Sequence, residues 1–362
     1  MYEDDKRIVM TLDAGGTNFV FGAMQGGHEA VKSLTLPAHA EDLSDCLSGL
    51  VEGFRKVKEL LPIEPCSISF AFPGPADYEN GIIGDLPNFP SFRGGVALGP
   101  MLQAEFGIPV FINNDGSLFA YGEALGGALP DVNRRLHESG SVKQFKNMIG
   151  ITLGTGFGCG VVIDGRLLIG DNGVGGDMWC LRNKKYTDLI VEESVSIRAV
   201  KRVYRERSGC MDNLEPKEIF EIAETVRPGN REAAIAAFEE LGEIAGDALA
   251  SAVSLIDGII VLGGGLAGAS KYIIPAMLRE MNTKLGQFNG DSFPRLQMRT
   301  YNLDDAAQFA DFAKGDATKV LVPGTFNTVD YDPQKRIGIV TSTMGTSQAI
   351  ALGAYVYALN NL

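Results

Sequence analysis

At 362 residues the chain is long enough for two hydrophobic cores, and 45% hydrophobic with 21% charged residues is the balance of an ordinary soluble globular protein. A formal charge of −13 argues against a nucleic-acid surface, which needs clustered Lys and Arg, and no apolar run reaches membrane-spanning length. The five cysteines (Cys46, Cys66, Cys159, Cys180, Cys210) form no CxxC pair, so neither a disulfide framework nor a cysteine zinc site is expected. Reduced thiols and an acidic start, Met1-Tyr2-Glu3-Asp4-Asp5, predict a cytoplasmic protein without a signal peptide.

The first element is an apolar strand from Ile8 that runs into Asp13-Ala14-Gly15-Gly16-Thr17-Asn18 and continues at once as a second apolar run to Ala23. This is the pattern of a β-hairpin with a backbone-rich tip. Its glycines tolerate positive φ and let a polyanion approach the main-chain N–H groups, while Asp13 can orient water on a divalent cation. An ordinary Gly-Gly hairpin with a solvated Asp explains the stretch equally well. Residues 41–61 place Leu43, Leu47, Leu50, Val51, Phe54, Val57 and Leu61 at helical spacing, and Pro62 and Pro65 close that helix. Ser67 to Phe72 is a buried strand stopped by Pro73-Gly74-Pro75, the kind of strand end where open α/β sheets place ligands. A loop-rich stretch over 77–95 leads to a short helix from Met101 to Phe106 and a strand from Val110 to Asn113. Gly116 to Ala128 reads as a close-packed helix, and Leu129 to Asn147 as a polar surface linker.

A second hairpin follows. Met148 to Ile163 repeats the pattern of apolar strand, Gly154-Thr155-Gly156 turn and apolar strand, with Thr152-Leu153 lying 141 residues beyond Thr11-Leu12. Two such hairpins suggest an internally duplicated protein whose halves grip one nucleotide. Basic residues at Lys184-Lys185 and from Arg198 to Arg207 read as solvated helix face. Residues 215–255 hold two or more helices, Gly258 to Gly265 a strand and glycine turn, Tyr272 to Phe288 a helix, and Ser347 to Leu359 a final Ala-rich helix. Residues 289–343 fit least well and read as extended segments with Gly and Pro, an elaborated strand system. Strands alternating with helices imply an α/β protein with mixed sheets flanked by helices.

The ordered set D-x-G-G-T-N, P-G-P, L-P-N, N-N-D, L-G-T-G-x-G-x-G and G-G-G resembles the ROK sugar kinases of the hexokinase/actin-like ATPase superfamily, from Ile8 to about Tyr357. The resemblance implies two ribonuclease-H-like (actin-like ATPase) domains that close on sugar and ATP: residues 1–115 with the returning helix 347–362, and 116–346. It implies ATP contacts at Asp13, Gly15, Gly16, Thr17, Asn18, Gly154, Thr155, Gly156, Gly263, Gly264 and Gly265, with Mg2+ held through water by Asp13. Sugar contacts are implied at Asn88, Asn114, Asp115, Asp177 and Glu192. Asp115 matches the catalytic base, and the chemistry is consistent with that, since phosphoryl transfer needs positioning, charge neutralisation and one proton acceptor. A helix cap at Asp115 is the competing reading of the Asn-Asn-Asp motif.

The chain departs from the family where members carry a zinc site of one His and three Cys. Asp177 stands for the family glutamate and Cys180 for the histidine, while Leu181 to Val191 contains no cysteine. No zinc is therefore expected, and the segment is read as held by packing, with Trp179 its candidate anchor. The predicted function is a glucokinase-like, ATP-dependent phosphorylation of a hexose, at the 6-OH, by a homodimer that binds neither nucleic acid nor membrane. Two alternatives stand beside it: a catalytically weak sugar- or nucleotide-binding protein, and a sugar-responsive regulator. For the regulator, the dozen residues before Asp13 leave no room for a recognition helix.

Overall fold

The computed structural model describes residues 2–15, 17–86 and 89–362, which divide into two compact α/β units. The first comprises residues 1–127, 166–176 and 344–362, and the second residues 128–165 and 177–343. The expected boundary after residue 115 thus moves: the helix that begins at Asp115 packs in the first unit.

The first unit is built on the hairpin of β1 (Val9–Ala14) and β2 (Asn18–Gln25), extended at its edge by β3 (His28–Glu29) and β4 (Leu34–Pro37). On its other side β1 pairs in parallel with β5 (Ser67–Ala71). After the short hairpin β6 (Ala76–Asp77)–β7 (Ile82–Ile83), β8 (Val110–Asn113) pairs in parallel with β5. Period-two alternation assigns the two faces. Ile8, Met10, Leu12, Ile68 and Phe70 point into a cluster with Phe19, Phe21, Phe72, Phe89 and Phe92, covered by α1 (Leu43–Leu60) through Leu50, Phe54 and Val57. Each fully buried Phe contributes about 1.5–3 kcal/mol relative to exposure. The opposite face carries Ala71 against Leu118 and Ala354, from α3 (Asp115–Gly126) and the C-terminal helix Thr346–Asn361. Between them, α2 (Leu98–Phe106) leads into β8.

Those two helices cross backbone to backbone. A Cβ on Gly122 would overlap the Ala349 carbonyl, and one on Gly353 the Leu118 carbonyl. The small-residue pattern that reads as close packing is therefore a helix crossing, and it fastens α3 to the first unit.

The second unit repeats the plan. β9 (Met148–Leu153) and β10 (Phe157–Ile163) form the antiparallel hairpin, and the short strand β11 (Arg166–Leu167) that follows in the chain falls within the first unit's residues. β9 pairs in parallel with β12 (Ile259–Gly263). Two exposed hairpins, β13 (Lys284–Gly286)–β14 (Ser292–Pro294) and β16 (Thr318–Leu321)–β17 (Thr328–Tyr331), project around β15 (Met298–Asn302). The sheet is completed by β18 (Lys335–Thr341), parallel to both β12 and β15.

Two sequence expectations change here, for Leu129 to Asn147 and for Tyr272 to Phe288, and two others gain detail. Leu129 to Asn147 is not a linker: it opens with α4 (Ala128–Glu138), which buries Leu129, Val132 and Leu136 at helical spacing, and Phe145 stacks on Phe312. The basic helix is α5 (Ile197–Ser208), followed by α6 (Pro216–Ala223) and α7 (Arg231–Ile256). Its charges are paired: Arg198 with Glu192 and Glu193, Lys201 with Glu215, and Arg207 with Glu240. Next, α8 (Ser270–Met281) ends seven residues before Phe288, where the chain turns into β13. Finally, the 289–343 stretch is the strand system expected, with two core strands, β15 and β18, and it adds the helix α9 (Ala306–Lys314) to the unit. Among the described residues no helix is long and apolar enough to cross a membrane, and all five cysteines are free.

Candidate active site

In the first unit the site begins at the carboxyl ends of parallel strands, where such sheets place ligands. Asp13, Ala71 and Asn113 lie in one register across β1, β5 and β8. At about 4.8 Å per strand, Asp13 and Asn113 are roughly 10 Å apart along that edge. The chain turns after β1 through Gly15, whose N–H donates to the Asn18 carbonyl at 3.0 Å, while the Thr17 carbonyl accepts from Ala38 N at 2.9 Å. Gly15 is not at positive φ, so a left-handed conformation is not its role; a Cβ there would stand 3.0 Å from the Asn18 oxygen. Gly16 and Asn88 lie outside the described residues. The loop flanking residue 88 is anchored by Arg93, which donates to the carbonyls of Leu86 at 2.9 Å and Phe92 at 2.6 Å.

β8 delivers Asn114 and Asp115 to the same edge. The cap of α3 is Asn114: its Oδ1 accepts from Gly116 N at 2.8 Å and Ser117 N at 3.4 Å, leaving its Nδ2 as a donor. Asp115 is the first helical residue, not the cap, and its Oδ1 accepts from Gly116 N at 2.8 Å. Solvent reaches the Asp115 side chain, yet protein surrounds it closely. That desolvation raises its pKa, the backbone N–H groups of Gly116 and Asp115 lower it in part, and the Asp13 charge raises it further. Two carboxylates thus share one sheet edge, one of them made more basic by its surroundings. Asp13, exposed and acceptor-only, suits a hard cation that takes one or two carboxylates, waters and phosphate oxygens. Among the described residues no three His, Cys, Asp or Glu side chains converge as a metal cluster.

In the second unit the Gly154–Gly156 turn is closed by Gly154 N donating to the Gly156 carbonyl at 3.1 Å. Glu192 reaches this turn directly: its Oε2 accepts from Phe157 N at 3.0 Å, and a Cβ on Gly156 would come within 2.6 Å of the same oxygen. Gly156 is therefore fixed by a carboxylate, not by φ. Gly263 pairs with Thr152, and Gly264, at φ +86°, lies so close to Leu153 that a Cβ would overlap its backbone. Gly265 has open space around it. The glycine turn after β12 and the turn after β9 thus form one backbone surface.

Asp177 precedes a short 3-10 turn, Met178–Cys180, whose Cys180 Sγ donates to the Asp177 carbonyl at 3.1 Å. Burial pushes the Asp177 carboxyl up, and the Trp179 indole, turned toward it, pulls it partly back. Trp179 is 41% exposed, so it is not the anchor expected of it; Met178 is the buried residue of the turn. The segment that follows is held by Asn183, which is fully buried. Its Oδ1 accepts from Lys185 N and Tyr186 N at 3.0 Å each, and its Nδ2 donates to Ser194 Oγ at 2.8 Å. Lys184 pairs with Glu243 and Glu280, and Lys185 with Glu240, tying the segment to α7 and α8.

Two residues of this arrangement went unmarked in the sequence. Asn183 gave no signal, because a single buried amide carries no spacing. Arg198 did stand at the opening of an amphipathic helix, six residues after Glu192, but reads there as surface charge. Its guanidinium donates to the Thr155 carbonyl at 3.2 Å and to Glu192 and Glu193.

Comparison with known proteins shows the family. A solved structure of a glucokinase from Parabacteroides distasonis matches over 100% of both chains with a TM-score of 0.91 and 67% sequence identity. The glucokinase of Thermotoga maritima is 28% identical over 293 residues, 74% of this chain and 85% of that protein. An N-acetyl-D-glucosamine kinase of Photobacterium profundum is 27% identical over 274 residues, 71% of this chain and 83% of that protein. The ROK family model matches residues 9–308, and the chain belongs to the ROK family, as a sugar kinase with the actin-like ATPase fold.

Proposed function

We propose that the protein transfers the γ-phosphoryl group of ATP to the 6-OH of a hexose or hexose derivative, with Asp115 as general base. The observation that carries this reading is the Asp115 carboxyl. It sits at the carboxyl edge of a parallel sheet with Oδ1 fixed by a helix amide, Oδ2 is the oxygen that would accept the proton, and its pKa is raised by desolvation and by Asp13. A sugar hydroxyl that donates to Oδ2 becomes a better nucleophile as it attacks the γ-phosphorus, and ADP leaves with the electrons of the broken P–O bond. Asn114 Nδ2, Asp177 and Glu192 are the sugar-hydroxyl contacts of this scheme, together with Asn88. The two Gly/Thr turns and Gly263 to Gly265 offer backbone to the nucleotide. Mg2+ oriented by Asp13 would supply charge neutralisation on the phosphates.

The glucokinases and N-acetyl-D-glucosamine kinase among the relatives support a hexose-type acceptor. Asp177, one methylene shorter than the family glutamate, would reach a hydroxyl differently and so bear on which hexose is preferred. The family resemblance also supports a cytoplasmic homodimer that takes sugar and ATP as its small-molecule partners. The test is coupled ADP release across glucose, mannose, fructose, allose and N-acetylated hexosamines, with NMR location of the phosphate on the product. Sugar-dependent ADP release with phosphate on O6 is expected; nucleotide turnover indifferent to every sugar would overturn the reading.

A further inference from the structure

Arg198 lies at the start of α5 and touches both functional parts of its unit. Its NH1 donates to the Thr155 carbonyl in the turn after β9 at 3.2 Å, and its NH2 contacts Glu192 Oε1 at 3.4 Å and Glu193 Oε1 at 3.0 Å. Glu192 closes the circuit through its other oxygen, which accepts from Phe157 N at 3.0 Å. α5 itself is bonded to the same turn, since Ile197 N donates to the Gly154 carbonyl at 2.8 Å. One guanidinium therefore fixes a turn carbonyl and a carboxylate whose second oxygen holds the turn's next amide.

Electrostatics gives this circuit a purpose. Glu192 and Glu193 place two negative charges against a turn that, on the proposed function, receives a polyphosphate. Unopposed, they would repel it, and a free Glu192 would swing away from Phe157 N. Arg198 offsets that charge and holds Glu192 in one geometry. A planar fork can do both at once where a lysine ammonium can reach only part of the set.

We infer that Arg198 is a positioning residue for phosphoryl transfer: it locks the Gly154–Gly156 turn and the Glu192 carboxylate into a single unit, so that nucleotide affinity and sugar affinity are coupled through it. This rests on the kinase reading, and coupling through Glu192 is reciprocal, each ligand tightening the other by the same factor.

The test uses the whole protein and the variants R198M, R198K, E193Q and R198M/E193Q, with AMPPNP and Mg2+ as the nucleotide probe. Binding is measured with and without a hexose acceptor, and kcat and KM are measured separately. R198M is expected to weaken AMPPNP about tenfold, to lower kcat as well as raise KM for ATP, and to abolish the sugar-dependent tightening. R198K is expected to fall between R198M and the wild type. R198M/E193Q is expected to regain part of the lost nucleotide affinity, because one repelling charge is gone. The melting temperature should move little, since Arg198 is half exposed and such pairs contribute little to stability. AMPPNP affinity within twofold of wild type in R198M, or equal losses in R198M and R198M/E193Q, would overturn the inference. AMPPNP binding is read without turnover, so a wild type that phosphorylates no sugar would count against the kinase reading alone and leave this result standing.

Discussion

On the proposed function, Asp115 is the residue on which chemistry and stability pull in opposite directions. Its folded pKa lies above the ordinary aspartate value, because burial and Asp13 disfavour the charged form. The folded state therefore binds this proton more readily than the unfolded chain does. The destabilisation is fully present above the folded pKa and vanishes as pH falls below the unfolded value. Asp115→Asn should accordingly raise the melting temperature at neutral pH, with the gain disappearing in acid, and it should lower kcat by about 10² to 10⁴. Wild-type kcat/KM should fall as pH drops through a pKa above the usual aspartate range; a thermal scan and a pH–rate profile check the two halves. Asp177 governs choice of sugar on this account. Asp177→Glu restores the family's longer reach and should change relative kcat/KM among sugars more than ATP affinity. Equal losses over every sugar would put Asp177 outside the specificity pocket. Motif order marks Asp13, Asp115 and Glu192 as candidates, whereas Asn183 and Arg198 make bonds to a segment and a turn that no residue pattern announces.

The elements that the sequence showed best are those with strong periodicity. The helix Leu43–Leu60, the strand Ser67–Ala71 and both hairpins fall within a residue or two of the expected bounds. The 129–147 reading failed because α4 is polar on most of its surface and buries only a narrow apolar stripe. The strand system expected over 289–343 is present, but its common sheet was not legible, because the helix α9 and the exposed hairpin β16–β17 separate β15 from β18 and hide their pairing from any local window. Helix crossing is the decisive packing feature of the first unit. Gly122→Val would drive a side chain into the Ala349 carbonyl where the C-terminal helix passes α3. Overpacking of this kind should cost about 1–3 kcal/mol, read as a lower denaturation midpoint in urea. A variant as stable as the wild type would show that the helices separate without penalty.

At the scale of the whole molecule, the duplication suggested by two hairpins holds: β1–β2 beside β5 and β8 repeats as β9–β10 beside β12 and β18. The repeat is asymmetric, since Asp13 has Gly154 at the corresponding place, so the first turn carries a carboxylate of its own where the second carries a glycine. The family's zinc segment is here fastened by Asn183 and by Lys184 and Lys185, which leads to a compositional prediction. Purified protein should hold far less than one zinc per chain and keep its melting temperature in chelator; a stoichiometric zinc, about one per chain, would contradict it. Sugar-dependent phosphoryl transfer with Asp115 as base is tested by coupled ADP release from wild type and Asp115→Asn on the same sugar and with saturating ATP. Wild-type turnover should depend on sugar and should drop at least about 10²-fold in the variant, with nucleotide affinity kept. A variant retaining half the wild-type kcat would contradict it.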